Sequence, residues 1–394
     1  MGVLAGLLTV GQPFAQAKSP DAAAAAAALA ALPQPTDITA LNAVVFDPVG
    51  ERILWGRNPA QGVPMASTTK IMTTLLALEA GTLDDTVVVS RRAAQMGGAG
   101  LGLKVDQRIA MRSLLAGLML RSGNDAALAV AEHVAGSEEA FVARMNARAA
   151  ELALEDTVFL SASGLTEDRT HRASPLALAR LTKVAMAHPD FAKWSGARQL
   201  AVPGLGLLQS RNELLGRYPG ADGVKTGFLA SAGLALVASA TRDDLPLYVV
   251  VLGSRDNFGD ARKLLDWGYT HFRLARPAGP GTVIGPYRWP DDQVDLVTTN
   301  GLAAAVRRDA TVAWQLRLHP ARQRPVSAGT ELGVAELTED GAVITRAALT
   351  TVDEVVAPRP APGTTTPDRG AAVGQALQDA LRAFSRLTAV TGAA

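Results

Sequence analysis

The sequence predicts an α+β fold, in which an antiparallel sheet packs beside a helical subdomain and a small β-sandwich follows. Three observations indicate this fold. Strand-like runs occupy both ends of the first 276 residues, helix-forming segments lie between them, and short alternating runs separated by turns fill residues 282–356. Because a chain of 394 residues exceeds the usual single domain, we expect one large domain with smaller appendages.

The elements of the large domain follow from local patterns. Two β-rich runs, at residues 41–46 and 53–55, flank a turn-forming sequence and predict a hairpin. Helix formers then predict four helices, at residues 71–78, 114–120, 126–134 and 141–152. Strand-like sequence returns at residues 234–240 and 247–252, so the later half of this domain supplies much of the sheet.

Composition changes mark five segments along the chain. Residues 1–36 form a signal-like segment and a linker, because the Ala-rich stretch 22–31 has no amphipathic stripe. The α+β domain is predicted at residues 37–276 and the β-sandwich at 282–356. A Pro/Thr-rich linker at 357–370 leads to an amphipathic helix at 371–390.

Net charge and cysteine content exclude several classes of function. The net charge is +1, from 38 basic and 37 acidic residues, so no global charge attracts nucleic acid or an anionic membrane. The chain has no cysteine, which excludes disulfides, a thiol nucleophile and cysteine-ligated metal.

The first residues favour export. An apolar run at residues 3–10 is too short to span a bilayer, and the small-x-small sequence Ala15-Gln16-Ala17 follows it. No lysine or arginine precedes Lys18, so the basic region of an ordinary signal is missing.

Three short motifs occur in a fixed order. Ser67-x-x-Lys70 opens a predicted helix, Ser122-Gly123-Asn124 follows it, and Lys225-Thr226-Gly227 begins a predicted strand. Each motif alone is weak evidence, because a helix cap or a turn explains it equally well. Together they indicate an enzyme that acylates its own serine.

The spacing of the first motif fits this chemistry. Positions i and i+3 lie one turn apart on a helix, so Lys70 can reach the hydroxyl of Ser67. A serine needs a base to become a nucleophile, and no histidine is placed to serve as that base. Lysine can do so if burial or a cationic neighbour such as Lys225 lowers its pKa. We therefore assign Ser67 as the nucleophile and Lys70 as the acylation base.

The other motif residues complete the hypothesis. Ser122 relays a proton to the leaving amine, and Asn124 orients Lys70 or the substrate amide. Lys225 and Thr226 hold the substrate carboxylate. The backbone N–H groups of Ser67 and Phe228 form the oxyanion hole, which the amino terminus of the helix supports.

The sequences around these motifs resemble low-molecular-mass penicillin-binding proteins of the D-alanyl-D-alanine carboxypeptidase family. Residues 64–73, 118–127 and 222–228 resemble the three motif regions, and residues 163–165 with His171 resemble a family loop and the helix start after it. Residues 282–356 resemble the β-sandwich of many members, and the last helix resembles their membrane-associating tail. The resemblance implies a β-lactamase/transpeptidase-like fold for residues 37–276.

The resemblance also implies an activity and its setting. The expected reaction is removal of the terminal D-Ala from peptidoglycan stem peptides, with β-lactams as inhibitors and without cofactor or metal. The expected location is the cell envelope or periplasm, with weak association to the outer face of the cytoplasmic membrane through residues 371–390.

The sequence departs from the family pattern at two places. Asn257 stands where members often have an arginine, so Arg211 or Arg255 would assist carboxylate binding, and we assign Arg211 to substrate binding. His171 is followed by Arg-Ala-Ser-Pro rather than the usual sequence, which predicts a different entry into the next helix.

Three other functions share some of these sequence features. A class A β-lactamase needs a glutamate before a Leu-Asn pair, about 35–40 residues after the second motif, and none of Glu155, Glu167 and Asp168 precedes such a pair. A D,D-endopeptidase shares every motif and stays open. A non-catalytic wall-binding module is disfavoured because every catalytic side chain is present.

Metal and phosphate sites are disfavoured as well. The five histidines, at positions 133, 171, 188, 271 and 319, lack paired spacing for metal binding. The glycine-rich residues 97–102 lack the Lys-Ser/Thr of a phosphate loop and are predicted to lie near the catalytic cleft.

Overall fold

The computed structural model describes residues 20–289, 292–320 and 324–355, which form two compact units. Among the described residues, the first unit comprises 20–48, 53–242 and 246–268. The second comprises 49–52, 243–245 and the described residues between 269 and 355. Over the described ranges, every helix is too short or too polar to cross a membrane. Residues 1–19 of the predicted signal-like segment and linker, and the predicted linker at 357–370 and helix at 371–390, lie outside the described residues.

The helices cluster in the first unit, where a 3-10 turn at Ala66–Thr69 leads into the second of them. They are α1 (Pro20–Ala30), α2 (Lys70–Glu79), α3 (Arg91–Ala94), α4 (Met111–Arg121), α5 (Asn124–Ala135), α6 (Glu138–Glu151), α7 (Pro175–Met186), α8 (Pro189–Gly196) and α9 (Asn257–His271). Helix α1 corrects the linker prediction for residues 22–31. A run of alanines forms a helix because it loses no side-chain entropy, whether or not it has an amphipathic face.

The first unit contains one large sheet and three small two-stranded ones. Its strands are β1 (Asn42–Asp47), β2 (Arg52–Arg57), β3 (Val63–Pro64), β4 (Thr86–Val88), β5 (Arg108–Ala110), β6 (Arg172–Ala173), β7 (Gln199–Val202), β8 (Gly206–Gln209), β9 (Ala221–Leu229), β10 (Gly233–Arg242) and β11 (Leu245–Ser254). The large sheet has the order β2-β1-β11-β10-β9, and the pairs are β3-β6, β4-β5 and β7-β8.

One hydrophobic core joins the large sheet to the helices. Val44 and Phe46 of β1 and Val237 of β10 are fully buried, and they belong to the same cluster as Leu75 of α2 and Leu118 of α4. Strand β9 is one of the two edge strands of the large sheet, and it pairs antiparallel with β10 so that Val237 lies opposite Lys225. This packing places one strand edge beside the start of α2.

The second unit is a pair of sheets around a core of its own. Its strands are β12 (Phe272–Ala278), β13 (Val283–Trp289), β14 (Asp292–Thr298), β15 (Leu302–Arg307), β16 (Val312–Leu318), β17 (Glu331–Glu339) and β18 (Ala342–Thr351). Strands β12 and β15 form one sheet, and the other has the order β13-β14-β18-β17-β16. Both contribute to one hydrophobic cluster, as in a sandwich.

The predicted α+β fold with a trailing β-rich domain is confirmed. The second unit starts earlier than the composition change suggested, because β12 pairs with β15 rather than with the first sheet. Strand pairing between distant residues leaves no mark in local composition, so the sequence-based boundary was placed at the turn residues 277–281.

Candidate active site

Ser67 lies in the 3-10 turn that leads into α2. Two neighbouring hydroxyls fold back on the turn: Thr68 Oγ1 donates to Met65 O at 2.7 Å, and Thr69 Oγ1 donates to Ala66 O at 2.7 Å. Met65, Ala66, Thr68 and Thr69 are fully buried, whereas Ser67 is half-buried. Ser67 is therefore the accessible residue of the turn.

Lys70 is fully buried one turn after Ser67. Its Nζ lies 2.9 Å from Ser67 Oγ, 2.8 Å from Asn124 Oδ1 and 2.6 Å from Ser163 O. Burial, followed by the charges of Lys225 and Arg211, lowers the pKa of Lys70 well below its usual value, while Asp125 opposes this effect. The lysine can therefore be neutral when it faces the serine.

Ser122 ends α4 in a left-handed conformation, with φ 63° and ψ 35°. Its backbone N–H still donates to Leu118 O at 3.0 Å, so the residue acts as a helix C-cap. Lys225 Nζ donates to Ser122 Oγ at 2.9 Å and to Thr226 O at 2.8 Å. Burial and the nearby Arg211 lower the pKa of Lys225 to about 7.

Asn124 is the first residue of α5, and both ends of its amide are bound. Its Oδ1 accepts from Lys70, and its Nδ2 donates to Gly97 O at 2.8 Å. Its backbone N–H donates to Ala99 O at 2.6 Å. The glycine-rich residues 97–102 thus lie beside the cleft.

Asp125 holds the same loop. Its carboxylate accepts backbone N–H groups from three successive residues, Leu101, Gly102 and Leu103, at 2.8–3.2 Å. Asp125 is buried, so these bonds replace the water that an exposed carboxylate would bind. The residue after the second motif therefore fixes a loop that lies more than twenty positions earlier in the chain.

Strand β9 brings the third motif against the Ser67 turn. A Cβ at Gly227 would lie 3.1 Å from Ser67 N and 3.1 Å from Ala66 Cβ, so glycine allows the closest approach of strand and turn. Thr226 is half-buried, and Phe228 is 64% exposed at the end of the strand. The strand thus contributes a buried lysine, Lys225, and carries an exposed aromatic residue, Phe228, near its end.

Of the two arginines considered as substitutes for the family arginine, Arg211 is the one whose charge acts on both lysines. The backbone N–H of Arg211 donates to Leu120 O at 3.1 Å, and its charge lowers the pKa of both Lys70 and Lys225. Asn257 is buried and its Nδ2 donates to Ala235 O at 3.2 Å, while Arg255 is exposed in the bend before α9.

The carboxylates considered for a β-lactamase lie apart from the buried network. Glu155, Glu167 and Asp168 are exposed, and Asp168 accepts from the backbone N–H and the hydroxyl of Thr170. Within the described ranges, histidine and carboxylate side chains do not gather in a group that could hold a metal ion.

Two contacts of the network were not predicted from the sequence, although the residues that make them lie in segments that resemble the family. The first is the carbonyl of Ser163, which accepts from Lys70. A backbone acceptor cannot be recognised from residue type, because every residue has a carbonyl. The neighbouring Gly164 is a sequence signal of this close packing, because a Cβ at that position would lie only 2.1 Å from Ala66 O. The second is His171, whose Nε2 lies 2.7 Å from Thr69 Oγ1.

The fold and this network define an active-serine enzyme of the penicillin-binding and β-lactamase type. Residues 28–256 match the family model of D-alanyl-D-alanine carboxypeptidase, peptidase family S11. The chain is 32% identical over 364 residues to the carboxypeptidase DacD of Salmonella typhimurium, covering 87% of this chain and 92% of the relative. It is 30% identical over 324 residues to DacF of Bacillus subtilis, covering 77% and 83%.

A solved structure agrees with these relatives. Penicillin binding protein 5 from Haemophilus influenzae superposes with a TM-score of 0.73 at 26% identity, covering 82% of this chain and all of that one. The chain belongs to the D-alanyl-D-alanine carboxypeptidase family of serine peptidases. The predicted family and enzyme class are thereby confirmed, whereas the roles of individual site residues stay predictions.

Proposed function

We propose that this chain hydrolyses the terminal D-Ala-D-Ala bond of peptidoglycan stem peptides through an acyl intermediate on Ser67. The observation that supports this most is the environment of Lys70 Nζ, which is buried and in contact with Ser67 Oγ and two acceptors. A neutral amine has two N–H donors and one lone pair. Asn124 Oδ1 and Ser163 O take the two donors, so the lone pair faces the hydroxyl of Ser67.

Acylation follows from this arrangement. Lys70 accepts the proton of Ser67 while Oγ attacks the carbonyl carbon of the penultimate D-Ala. The developing oxyanion accepts from the backbone N–H groups of Ser67 and Phe228. Collapse of the tetrahedral intermediate breaks the C–N bond. Ser122 Oγ passes its proton to the departing nitrogen and takes the proton held by Lys70 in return, so Lys70 is neutral again before deacylation.

The substrate carboxylate meets the positive side of the cleft. Lys225 and Arg211 supply charge, and Thr226 supplies a hydroxyl for the terminal carboxylate of D-Ala. Because Lys225 already donates to Ser122 Oγ, carboxylate binding and proton transfer to the leaving amine share one lysine. The β-lactam ring with its carboxylate fits the same positions, which accounts for inhibition by acylation.

Deacylation returns the enzyme to its starting state. Lys70 accepts a proton from water, the hydroxide attacks the acyl carbon, and Ser67 Oγ leaves with that proton. The products are free D-Ala and a peptide shortened by one residue. Because the substrate is cell-wall peptide, we propose the cell envelope as the site of action, with residues 371–390 as a weak membrane contact.

The test is release of D-Ala from a diacetylated tripeptide that ends in D-Ala-D-Ala. Ser67→Ala should abolish both release and penicillin labelling, and Lys70→Ala should do nearly as much damage because the serine loses its base. Lys193→Ala, which changes an exposed lysine of α8, is the matched control.

Three results would contradict the proposal. Release by Ser67→Ala at about a tenth of the wild-type rate or more would exclude Ser67 as the nucleophile. Rapid turnover of penicillin would indicate a β-lactamase. Cleavage of cross-linked dimers in preference to the tripeptide would favour the endopeptidase; one relative, 30% identical over 63% of this chain, is a D-alanyl-D-alanine endopeptidase of Pseudomonas aeruginosa.

A further inference from the structure

The peptide group between Ala66 and Ser67 is held at its carbonyl oxygen. Thr69 Oγ1 donates to Ala66 O at 2.7 Å, and this oxygen belongs to the same peptide plane as the N–H of Ser67. In a trans peptide the C=O and the N–H point in opposite directions, so fixing one fixes the other. The Thr69 hydroxyl therefore sets the direction of the Ser67 N–H.

His171 determines how the Thr69 hydroxyl is used. The backbone N–H of Leu160 donates to His171 Nδ1 at 2.9 Å, so the ring proton is on Nε2. Nε2 then donates to Thr69 Oγ1 at 2.7 Å. Because the hydroxyl already accepts from the imidazole, its single hydrogen is directed to Ala66 O. The hydrogen bonds run in one direction from Leu160 to the peptide before Ser67.

The surroundings leave this chain of bonds little freedom. His171 is 2% exposed, and the ring of Phe159 packs against it edge-on at 6.1 Å between centroids. Ala66 has φ 48°, a left-handed value that is uncommon for a residue with a side chain. Gly164 crowds the carbonyl of Ala66 so closely that no Cβ fits there. A strained conformation of this kind persists only where neighbours determine it.

We propose that His171 is a positioning residue for the oxyanion hole, acting through Thr69 on the Ala66–Ser67 peptide. The inference rests on the proposed function, in which the Ser67 N–H stabilises the oxyanion. His171 does not touch the substrate in this scheme. It holds in place, before substrate arrives, a donor that would otherwise have to reorient during the reaction.

The test compares two substitutions at Thr69. Thr69→Val removes the hydroxyl at nearly constant shape, and Thr69→Ser retains it. Removal of an oxyanion donor costs about 100- to 1,000-fold in kcat, so a misdirected donor in Thr69→Val should cost about tenfold or more. KM should change by less than about threefold, and Thr69→Ser should stay within about threefold of wild type. His171→Asn, which keeps an acceptor near Nδ1 but has no donor at Nε2, should lower kcat in the same direction.

An ester substrate and its thionoester separate positioning from a general loss of structure. Sulfur is a weak hydrogen-bond acceptor, so the oxyanion hole accelerates the ester far more than the thionoester. The ester-to-thionoester rate ratio should fall about tenfold in Thr69→Val and be restored in Thr69→Ser. If Thr69→Val does not fold, the same ratio measured on His171→Asn and Thr69→Ala decides the question.

Two outcomes would overturn the proposal. One is a wild-type rate in Thr69→Val, and the other is an equal loss on both substrates, which would assign the bonds to folding alone. Ser67→Ala is measured alongside. If it is inactive while Thr69→Val is unaffected, only the positioning role fails, whereas activity in Ser67→Ala would overturn the proposed function and this inference together.

Discussion

Acidification should destabilise the folded chain through His171. The pKa of His171 is lowered from 6.5 to about 4, mainly by burial and to a smaller extent by the charge of Lys70, while Asp168 opposes the shift. Protonation would also place a hydrogen on Nδ1, which now accepts from the backbone N–H of Leu160. The folded state therefore strongly prefers the neutral ring.

The size and sign of the effect follow from proton linkage. Between pH 6.5 and about 4 the unfolded chain binds a proton at this histidine and the folded chain does not, so the free energy of unfolding falls as the pH falls. At about 1.4 kcal/mol per pH unit, the loss over this window is about 3 kcal/mol. The contribution is complete above pH 6.5 and changes no further below about pH 4.

Urea unfolding of wild type and His171→Asn, measured at a series of pH values from 7 to 4, tests this prediction. Asparagine does not titrate, so the variant should be less stable than wild type at pH 7, and the difference should shrink by about 3 kcal/mol towards pH 4. Phe141→Leu, a non-titrating change at a fully buried position, should show a pH-independent difference. A His171→Asn difference that stays constant over this range would refute the reasoning.

Three further predictions concern the cleft. Lys225, whose pKa burial and Arg211 lower to about 7, loses its charge as the pH rises through that value, so kcat/KM should fall there for a substrate with a terminal carboxylate. For the corresponding substrate with a terminal amide, kcat/KM should not fall in this pH range. Identical pH profiles for the two substrates would count against a role of Lys225 in carboxylate binding. Gly164→Ala places a Cβ 2.1 Å from Ala66 O at φ 77° and should slow labelling by fluorescent penicillin about tenfold or more. Gly81→Ala is the control, because Gly81 has φ 71° but no atom within 4 Å of an added Cβ, and this variant should be labelled at the wild-type rate. Equal labelling rates for Gly164→Ala and Gly81→Ala would refute the crowding argument. Asp125→Asn weakens the bonds to the loop at residues 101–103 and should lower the free energy of unfolding by about 2 kcal/mol, as measured by thermal denaturation. The exposed Asp106→Asn is its control, and an unchanged melting temperature would show that the loop does not depend on Asp125.

The residues with a fixed local spacing were the ones that could be predicted. Ser67 and Lys70 lie one helical turn apart, so the sequence alone indicates that they meet, and the structure places them 2.9 Å apart. The order of the motifs indicated that Ser122 and Lys225 belong to one cleft. That inference depended on resemblance, because no local rule connects residues 103 positions apart.

The parts that were missed depend on backbone atoms and on tertiary contacts. Ser163 contributes a carbonyl that any residue would have. His171 was matched to a family helix start, but its contact with Thr69 depends on the fold and could not be predicted. The helix α1 was missed for another reason. The absence of an amphipathic stripe argues against packing of this segment on a hydrophobic core, but it does not argue against a helix. The linker prediction wrongly took the missing stripe as evidence against a helix.

The positive charge of the cleft connects substrate binding to the reactivity of the serine. Burial, followed by the charges of Lys225 and Arg211, lowers the pKa of Lys70 and so favours the neutral form of the proposed base. A bound carboxylate offsets that charge, and we expect the pKa of Lys70 to rise when substrate arrives, which strengthens its capacity to take the proton of Ser67. The terminal amide substrate should therefore be slower in acylation as well as weaker in binding. Single-turnover kinetics test this expectation. If the amide substrate needs a higher concentration for saturation but is acylated at the same maximal rate as the carboxylate substrate, carboxylate binding at Lys225 does not affect Lys70.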